Sequence, residues 1–169
     1  MNDEKIILRQ MSEDDWEIFR SIRLEALKEH PCLFLKSYDK EKTQEEEYWR
    51  NYLRGERGAV FVLEDNGIPI GLTGAFRYSG IPEDTVSLGM SFIRSEYRGR
   101  GLSGLFYEAR INWAKNQSGV NRIIVAHRAG NEASKRANQK FGFTLYEVKE
   151  IDFPDGSRDD EYKYELRWD

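Results

Sequence analysis

The chain has 169 residues, of which 39% are hydrophobic and 33% are charged, and this composition is typical of a folded globular protein. We expect a single domain over residues 1–169. No run approaches the roughly 18 apolar residues of a membrane span, and the N-terminus has no basic region followed by an apolar one, so we expect a cytoplasmic protein. The lone cysteine, Cys32, cannot form an internal disulfide, and no Cys/His cluster has metal-ligand spacing.

Charge is unevenly distributed along the sequence. The formal net charge of −4 argues against general affinity for nucleic acid or for an anionic membrane. Residues 91–140 nevertheless contain 10 basic and 3 acidic side chains, whereas residues 141–169 contain 4 basic and 9 acidic ones. Charge counting alone does not distinguish a solvated surface from an anion site in the basic segment.

The first part of the chain predicts one strand and two helices. Residues 6–11 have the pattern of a short strand. Ser12 and Asp15 form a capping-box pattern that opens a helix. After a loop through residue 42, Thr43 and Glu46 repeat that pattern and predict a second helix.

The middle of the chain predicts an antiparallel meander. Apolar and β-branched runs are joined by short turns, of which Asp65-Asn66-Gly67 is typical of a hairpin. The three predicted strands cover residues 59–64, 68–77 and 85–93.

The last part of the chain predicts a strand–helix–strand unit and three further elements. Residues 101–116 have an amphipathic helical pattern, and residues 122–127 form an apolar run typical of a buried strand. Strands 85–93 and 122–127 should therefore pair in parallel or splay from a parallel start. The remaining elements are a short helix over residues 131–140 and two strands over residues 143–152 and 160–168.

The most informative segment lies between the third strand of the meander and the amphipathic helix. It reads Arg98-Gly99-Arg100-Gly101-Leu102-Ser103-Gly104. Glycines at such a turn let the backbone approach a ligand closely, and the free N–H groups and dipole of a helix N-terminus favour an anion. Because the arginines add positive charge, the turn predicts a pyrophosphate site.

A dinucleotide is a second ligand compatible with this turn. Gly99, Gly101 and Gly104 satisfy the G-x-G-x-x-G pattern of dinucleotide-binding proteins. That pattern also requires an acidic residue about 20 positions further on, but residues 109–131 contain no Asp or Glu. An NADP-dependent oxidoreductase, with Arg128 at the extra phosphate, is therefore the weaker interpretation.

Two motifs together resemble those of the GNAT superfamily of acetyl-CoA-dependent N-acyltransferases. The segment Arg98–Ser103 is similar to the family motif R/Q-x-x-G-x-G/A. Asn131-Glu132-Ala133-Ser134 and Lys140-Phe141-Gly142-Phe143 resemble its N-x-x-A/S and K-x-G-F segments. The order of predicted elements matches as well, over nearly the whole chain. The resemblance implies an α/β (α+β) fold with a mixed, mostly antiparallel central sheet, flanking helices and a splayed parallel strand pair that holds the cofactor.

The resemblance also implies acetyl-CoA as co-substrate, no metal, and a set of cofactor-binding residues. By similarity, two strand residues offer backbone groups to the pantetheine arm, the glycine-rich turn holds the pyrophosphate, and the short helix that follows lines the remainder. In chain order these residues are Phe92, Ile93, Arg98, Gly99, Arg100, Gly101, Leu102, Ser103, Gly104, Asn131, Ser134 and Lys135.

Two positions depart from the family pattern. Ser103 stands where Gly or Ala is usual, which is a small change. Many members have a tyrosine seven residues after the motif asparagine, where it protonates the departing thiolate, but this chain has Asn138. An amide has no proton to give at neutral pH. Either other groups stabilise the leaving group, or the chain is a CoA-binding regulatory module without catalytic activity.

Direct attack of an amine on a thioester needs a neutral amine and therefore a group that accepts its proton. The two main candidates are His127, at the end of strand 122–127, and Glu25, on the first helix. His30 and Cys32 lack the third group of a nucleophilic dyad. Further candidates for base or acid are Glu29, Tyr97, Tyr146, Tyr162 and Tyr164.

The sequence therefore predicts an enzyme that transfers the acetyl group of acetyl-CoA to a primary amine in a ternary complex. The acidic regions outside residues 91–140 favour a small cationic amine, or a lysine- or N-terminus-bearing peptide, as acceptor. The inactive CoA-binding module and the NADP-dependent oxidoreductase stay open as alternatives. Exposed strand edges are also compatible with a homodimer.

Overall fold

A seven-stranded sheet forms the centre of the computed structural model, which describes residues 5–31 and 34–169. Cys32 therefore lies outside the described residues. The strand order is β1-β2-β3-β4-β5-β7-β6. The strands are β1 (Ile6–Gln10), β2 (Gly58–Asp65), β3 (Ile68–Phe76), β4 (Thr85–Ile93), β5 (Arg122–Arg128), β6 (Thr144–Asp152) and β7 (Arg158–Arg167). The succession of the seven strands along the chain matches the expectation from the sequence.

The helices of the described chain are α1 (Trp16–Glu29), α2 (Tyr38–Glu41), α3 (Glu46–Leu53), α4 (Ser103–Lys115) and α5 (Glu132–Lys140). The short helix α2 replaces part of the loop expected before residue 42. At the start of the first helical segment, the Ser12 N–H donates to the Asp15 carboxylate at 2.8 Å, which confirms the capping interaction. The cap predicted at Thr43 is wrong, because its hydroxyl donates to the Lys40 carbonyl at 2.8 Å and α3 begins after Glu45.

Helices cover both faces of the strands at the centre of the sheet. Helices α1 and α3 pack on one face of β2 and β3, and α4 packs on the other face of β3 and β4. The buried apolar side chains of the first layer include Phe19, Ile22, Trp49, Val60, Val62 and Leu72. Those of the second include Val86, Phe106, Tyr107, Ala114 and Ile123. This two-sided burial fixes the position of β4, the strand that leads into the glycine-rich turn.

Strands β4 and β5 begin as a parallel pair and then separate. Their pairing covers only Thr85–Ser87 on β4 and Arg122–Ile124 on β5. Beyond this point β5 stays paired with β7, and β4 stays paired with β3 as far as Ile93. The splayed pair predicted from the order of elements is thus present, and it leaves one edge of β4 without a neighbouring strand.

A β-bulge lies where β4 leaves β5. The β3–β4 register shifts between Leu72 and Gly74, and Met90 adopts a left-handed backbone with φ of 61°. A bulge bends its strand and redirects the side chains that follow. After it, the Ser91 hydroxyl lies 2.8 Å from the Thr73 hydroxyl and accepts from Arg110 Nη1 at 3.0 Å.

The described residues contain neither a membrane-spanning helix nor a cluster of metal ligands. None of the helices within residues 5–31 and 34–169 has the length and apolar character needed to cross a bilayer. The same residues contain no group of three or more His, Cys, Asp or Glu side chains arranged to hold a metal ion.

We predict that Gly71→Ala destabilises the protein whereas Gly89→Ala does not. A Cβ at Gly71 would lie 2.5 Å from the Phe92 carbonyl oxygen, so β3 and β4 would have to move apart. We expect a loss of about 1–3 kcal/mol in the free energy of unfolding, measured by urea denaturation. A Cβ at Gly89 has no atom within 4 Å, and there we expect a change of about 0.5 kcal/mol or less. Equal stability of the two variants would contradict the described contact between these strands.

Candidate active site

A cleft of about 930 Å³ opens where β4 and β5 separate. Its walls come from the end of β4, the glycine-rich turn, one face of α5, and the segment between α1 and α2. Of the predicted cofactor-binding residues, those that line it are Phe92, Ile93, Arg98, Gly99, Gly101, Leu102, Ser103, Asn131 and Ser134. Arg100, Gly104 and Lys135 are not among the lining residues.

The glycine-rich turn depends on two left-handed residues. Gly99 and Gly101 both have φ of 75°, a conformation that costs other L-residues energy. A Cβ at either position would have no atom within 4 Å, so backbone conformation rather than crowding requires glycine. The turn brings the N-terminus of α4, with the positive end of its dipole, to the cleft.

Arg98 is anchored toward α1. Its Nε donates to the Ile93 carbonyl at 2.7 Å, and its Nη2 donates to Glu29 at 2.9 Å and to His30 Nε2 at 2.9 Å. Its guanidinium also lies over the Phe92 ring, 5.8 Å from the centroid. Arg98 therefore fixes the turn against β4 and α1 and contributes positive charge from that position.

The register of β4 gives Phe92 and Ile93 different roles. The Arg94 N–H donates to the Ile70 carbonyl at 2.9 Å, so Arg94 faces β3. Because backbone groups alternate in direction along an antiparallel strand, those of Phe92 also face β3 and those of Ile93 face the opening. The predicted backbone contact with a cofactor thus fits the N–H of Ile93, because its carbonyl already accepts from Arg98, and Phe92 also lines the cleft.

The side of α5 that faces the cleft has a buried amide. Asn138 is fully buried, and its Oδ1 accepts a hydrogen bond from the Tyr107 hydroxyl at 2.5 Å. Burial raises the pKa of Tyr107, so its hydroxyl stays a donor. The Asn138 Nδ2 has no hydrogen-bond partner among the described residues. About two turns earlier, Asn131 caps α5 by accepting from the Ser134 N–H at 3.2 Å.

A buried arginine adds positive charge next to this amide. Arg110 is 2% exposed, lines the cleft, and has no carboxylate partner in the part of the chain that the structure describes. Its Nε donates to the Phe106 carbonyl at 3.1 Å, and its guanidinium lies over the Tyr107 ring. Burial lowers the pKa of Arg110 to about 10, which still leaves it a cation at neutral pH.

The two main base candidates are both held by other groups. Glu25 accepts from Arg94 Nε and Nη2 at 2.7 and 2.9 Å, an interaction that raises the pKa of Arg94, and Glu25 does not line the cleft. His127 lines the cleft. Its Nδ1 lies 2.8 Å from the Arg128 carbonyl, which can only accept, so this nitrogen donates. Its Nε2 then accepts from the Tyr164 hydroxyl at 3.3 Å.

The tyrosine candidates occupy three different places. Tyr162 and Tyr164 stack on the His127 ring and do not line the cleft. Tyr97 lines it and donates its hydroxyl to Asp65 at 2.8 Å. Tyr146 lines it from β6.

Glu161 is a cleft carboxylate that the sequence did not single out. Among the described residues that line this cleft, it is the one acidic residue. Burial raises the pKa of Glu161, an effect opposed by Lys163, whose Nζ lies 3.9 Å from its carboxylate. No sequence signal separates it from the neighbouring Asp159 and Asp160, because only the pairing of β7 with β5 brings it to the cleft.

Arg128 is bound by the β6–β7 hairpin. Its Nη1 donates to Asp155 at 2.7 Å and its Nε donates to Asp159 at 3.0 Å. Hydrogen bonds from Ser157 and then from Arg128 lower the pKa of Asp155 to about 2. An arginine engaged by two carboxylates is poorly suited to the 2′-phosphate of NADP, which weakens the oxidoreductase interpretation.

The cleft wall next to α1 carries cations and aromatic rings. Arg23 and Lys36 line this wall together with the rings of Phe34, Tyr52 and Tyr78. No acidic residue lines this wall within the described chain. The expected acidic surface for a cationic acceptor is therefore not found on this side of the cleft.

Comparisons with known proteins agree with this geometry. A family model described as an acetyltransferase (GNAT) domain matches residues 5–144. The chain therefore belongs to the GNAT acetyltransferase family. No curated protein matches the sequence with significant similarity.

Solved structures of low sequence identity share the fold. A GNAT-family acetyltransferase from Streptococcus pneumoniae superposes with a TM-score of 0.78 at 18% identity, covering 97% of this chain and 100% of that one. The putative acetyltransferase yncA from Salmonella typhimurium, solved with its cofactor acetyl-CoA, gives 0.79 at 18% identity, covering 97% and 94%. The ribosomal-protein-S5-alanine acetyltransferase from Vibrio fischeri gives 0.78 at 18% identity, covering 99% and 95%.

We predict that Tyr107→Phe lowers stability by about 1–3 kcal/mol, because it leaves both ends of the buried Asn138 amide without a partner. The stacking of residue 107 on Phe141, at a centroid distance of 4.6 Å, should persist in the variant. Thermal and urea unfolding measure the loss. Tyr146→Phe, at an exposed position on β6, is the matched control and should be near neutral. A neutral Tyr107→Phe variant would contradict the hydrogen bond to Asn138.

Proposed function

We propose that the protein transfers the acetyl group of acetyl-CoA to a primary amine in a ternary complex. The observation that carries this proposal is the unpaired edge of β4, which leads directly into a left-handed glycine turn and a helix N-terminus. An extended chain that ends in a pyrophosphate fits such a path, because strand backbone can pair with its amides and helix N–H groups can bind its phosphates. The similarity to yncA, solved with acetyl-CoA, supports the same ligand.

The residues of the cleft divide between the parts of this co-substrate. The backbone of Gly99 to Ser103 would hold the pyrophosphate, with Arg98 adding charge. The Ile93 backbone would pair with the pantetheine arm, and Asn131 and Ser134 would contact it from α5. Arg100, Gly104 and Lys135 would act from outside the cleft wall, through charge or helix packing.

The proposed reaction needs no covalent enzyme intermediate. The amine nitrogen attacks the thioester carbonyl carbon, the new C–N bond forms, and the C–S bond breaks to release CoA as a thiolate. The amine gives up its proton to a base. Asn138 cannot donate a proton, but its unpartnered Nδ2 can donate a hydrogen bond to an anion, and Arg110 adds a buried positive charge nearby.

Among the proton acceptors, Glu161 is best suited. Glu25 would have to leave its two hydrogen bonds with Arg94, and His127 would have to lose the Tyr164 hydroxyl from Nε2. Glu161 lines the cleft, and its raised pKa strengthens it as a base. We therefore rank Glu161 first, His127 second and Glu25 third.

The inactive CoA-binding module is the second candidate function, and the Asn138 substitution is the observation that favours it. Both functions share the same cofactor site, so only turnover separates them. Homodimerisation and a cytoplasmic location stay predictions. The exposed apolar side chains of β6, Leu145 and Val148, are compatible with a dimer formed through that edge strand.

We predict that Gly101→Glu weakens acetyl-CoA binding by at least about tenfold, because it places a carboxylate at a site built for phosphate. Gly119→Glu is the matched control, since Gly119 also has φ of 75° but lies outside the cleft. Both variants should lose similar stability, and only the first should lose affinity in calorimetric titration. Normal affinity of Gly101→Glu would place the pyrophosphate elsewhere. Tight binding of NADPH without binding of CoA would overturn the proposal.

We predict that Glu161→Gln lowers kcat/KM by about 100-fold or more, the usual contribution of a general base. In the unmodified protein kcat/KM should fall as the pH drops through the raised pKa of Glu161, since only the ionised carboxylate accepts a proton. This acid limb should disappear in the variant. Glu165→Gln, on the same strand but outside the cleft lining, should retain both the kcat/KM of the unmodified protein and the acid limb of its pH profile.

His127→Gln and Glu25→Gln complete this comparison. If either of them removes the acid limb while Glu161→Gln retains it, the ranking of the bases is wrong. Acetyl-CoA affinity, measured for every variant, separates lost chemistry from lost structure.

A further inference from the structure

Arg23 on α1 is a buried cation with an unused donor. Its side chain is 3% exposed and lines the cleft, but its Nη1 has no hydrogen-bond partner within the described residues. Burying a donor without a partner costs free energy. Such a group in a cleft wall is explained when a ligand supplies the missing oxygen.

The other donors of Arg23 are held in place by a buried partner. Its Nε donates to Glu41 Oε2 at 3.2 Å and its Nη2 donates to Glu41 Oε1 at 3.5 Å. The Tyr48 hydroxyl donates to the same carboxylate at 3.3 Å. The guanidinium also lies over the Phe34 ring, 5.3 Å from its centroid. These contacts fix the plane of the guanidinium, and Nη1 is the donor that they leave without a partner among the described residues.

The surroundings of Nη1 favour an anionic oxygen. Lys36 is a second cation on this wall, and within residues 5–31 and 34–169 Glu161 of β7 is the one carboxylate that lines the cleft. Glu25 and Glu29 lie near this wall in sequence but pair with Arg94 and Arg98. A carboxylate would satisfy Arg23 Nη1 with a charge-assisted hydrogen bond, whereas a purely cationic amine has no lone pair to offer this donor.

We propose that this wall is the acceptor subsite and that the acceptor is a free amino acid, whose carboxylate binds Arg23 Nη1. This inference rests on the proposed acetyl transfer and names its substrate class. The rings of Phe34, Tyr52 and Tyr78 give the subsite an apolar surface that suits an amino acid with an apolar side chain. A peptide N-terminus has no carboxylate beside its amine, so we expect it to bind this subsite more weakly than a free amino acid does.

The test measures acetyl transfer to matched sets of acceptors. Leucine, methionine and phenylalanine are compared with their amides, with the corresponding decarboxylated amines, and with short peptides that begin with the same residues. CoA release and the mass of the product are recorded for each. We expect kcat/KM for the amino acids to exceed that for the amides and amines by at least about tenfold.

Arg23→Lys tests the assigned residue. Lysine keeps a charge facing Glu41 but has no second nitrogen to replace Nη1. We expect KM for the amino acids to rise at least about tenfold and kcat/KM for the amides to change less than about twofold. Arg20→Lys, on the same helix and outside the cleft lining, should leave both unchanged. Arg23→Gln combined with Glu41→Gln removes both charges and should abolish the preference for carboxylate.

The outcomes distinguish this inference from the proposed function. Equal or better use of amides, amines or peptides overturns the amino-acid subsite and leaves the acetyl transfer standing. An unchanged preference for carboxylate in Arg23→Lys overturns the role of Nη1. Acetyl-CoA binding without transfer to any primary amine overturns the proposed function and the subsite with it.

Discussion

The separation of β4 from β5 is the constraint on which the rest of the site depends. Backbone N–H and C=O groups inside a protein need partners, and β4 finds them on β3 along its length but on β5 only over Thr85–Ser87. Its remaining edge is a place where a ligand can pair with backbone. The bulge at Met90 bends the strand at this point, and the left-handed turn after Ile93 brings the helix N-terminus to the same opening. One interruption in the sheet thus aligns a backbone edge with an anion site.

Within the described chain, buried polar side chains whose donors or charges lack protein partners are concentrated around this opening. Among the described residues, the buried side-chain nitrogens without partners belong to Arg23 and Asn138, and both residues line the cleft. Arg110, a buried cation without a carboxylate, lines it as well. The buried polar side chains of the described residues that lie outside the cleft lining, Glu41, Thr73 and Thr85, all have hydrogen-bond partners. Local violations of the rules of stable packing are expected where a site must bind something, and here they fall on opposite walls of one cleft.

The sequence predicted those features that depend on neighbours along the chain. Alternating and amphipathic patterns identified all seven strands, and the spacing of Gly99 and Gly101 identified the turn. The sequence did not predict features that depend on contacts between residues far apart along the chain. Glu161 reaches the cleft through the pairing of β7 with β5, and the different directions of Phe92 and Ile93 follow from the β3–β4 register. Thr43 fits a capping pattern in the sequence, but in the fold its hydroxyl donates to the Lys40 carbonyl instead of capping α3. In the sequence, Arg23 does not differ from other arginines on amphipathic helices. Only the fold shows that it is buried against Glu41 and Phe34.

The charge distribution has a different meaning in the folded protein than along the chain. Several arginines of the basic segment pair with carboxylates from outside it: Arg94 with Glu25, Arg98 with Glu29, Arg122 with Glu165, and Arg128 with Asp155 and Asp159. Much of the positive charge of residues 91–140 is therefore neutralised in ion pairs that stabilise the fold around the cleft. The proposed binding of the pyrophosphate would then rely mainly on the backbone N–H groups of the turn and on the dipole of α4, with a smaller contribution from Arg98, whose charge Glu29 partly neutralises. The same pairing occupies the acidic side chains that were expected to face a cationic acceptor. Because those carboxylates are engaged, the acceptor preference that we propose depends on the wall next to α1, where Arg23 Nη1 has no partner among the described residues.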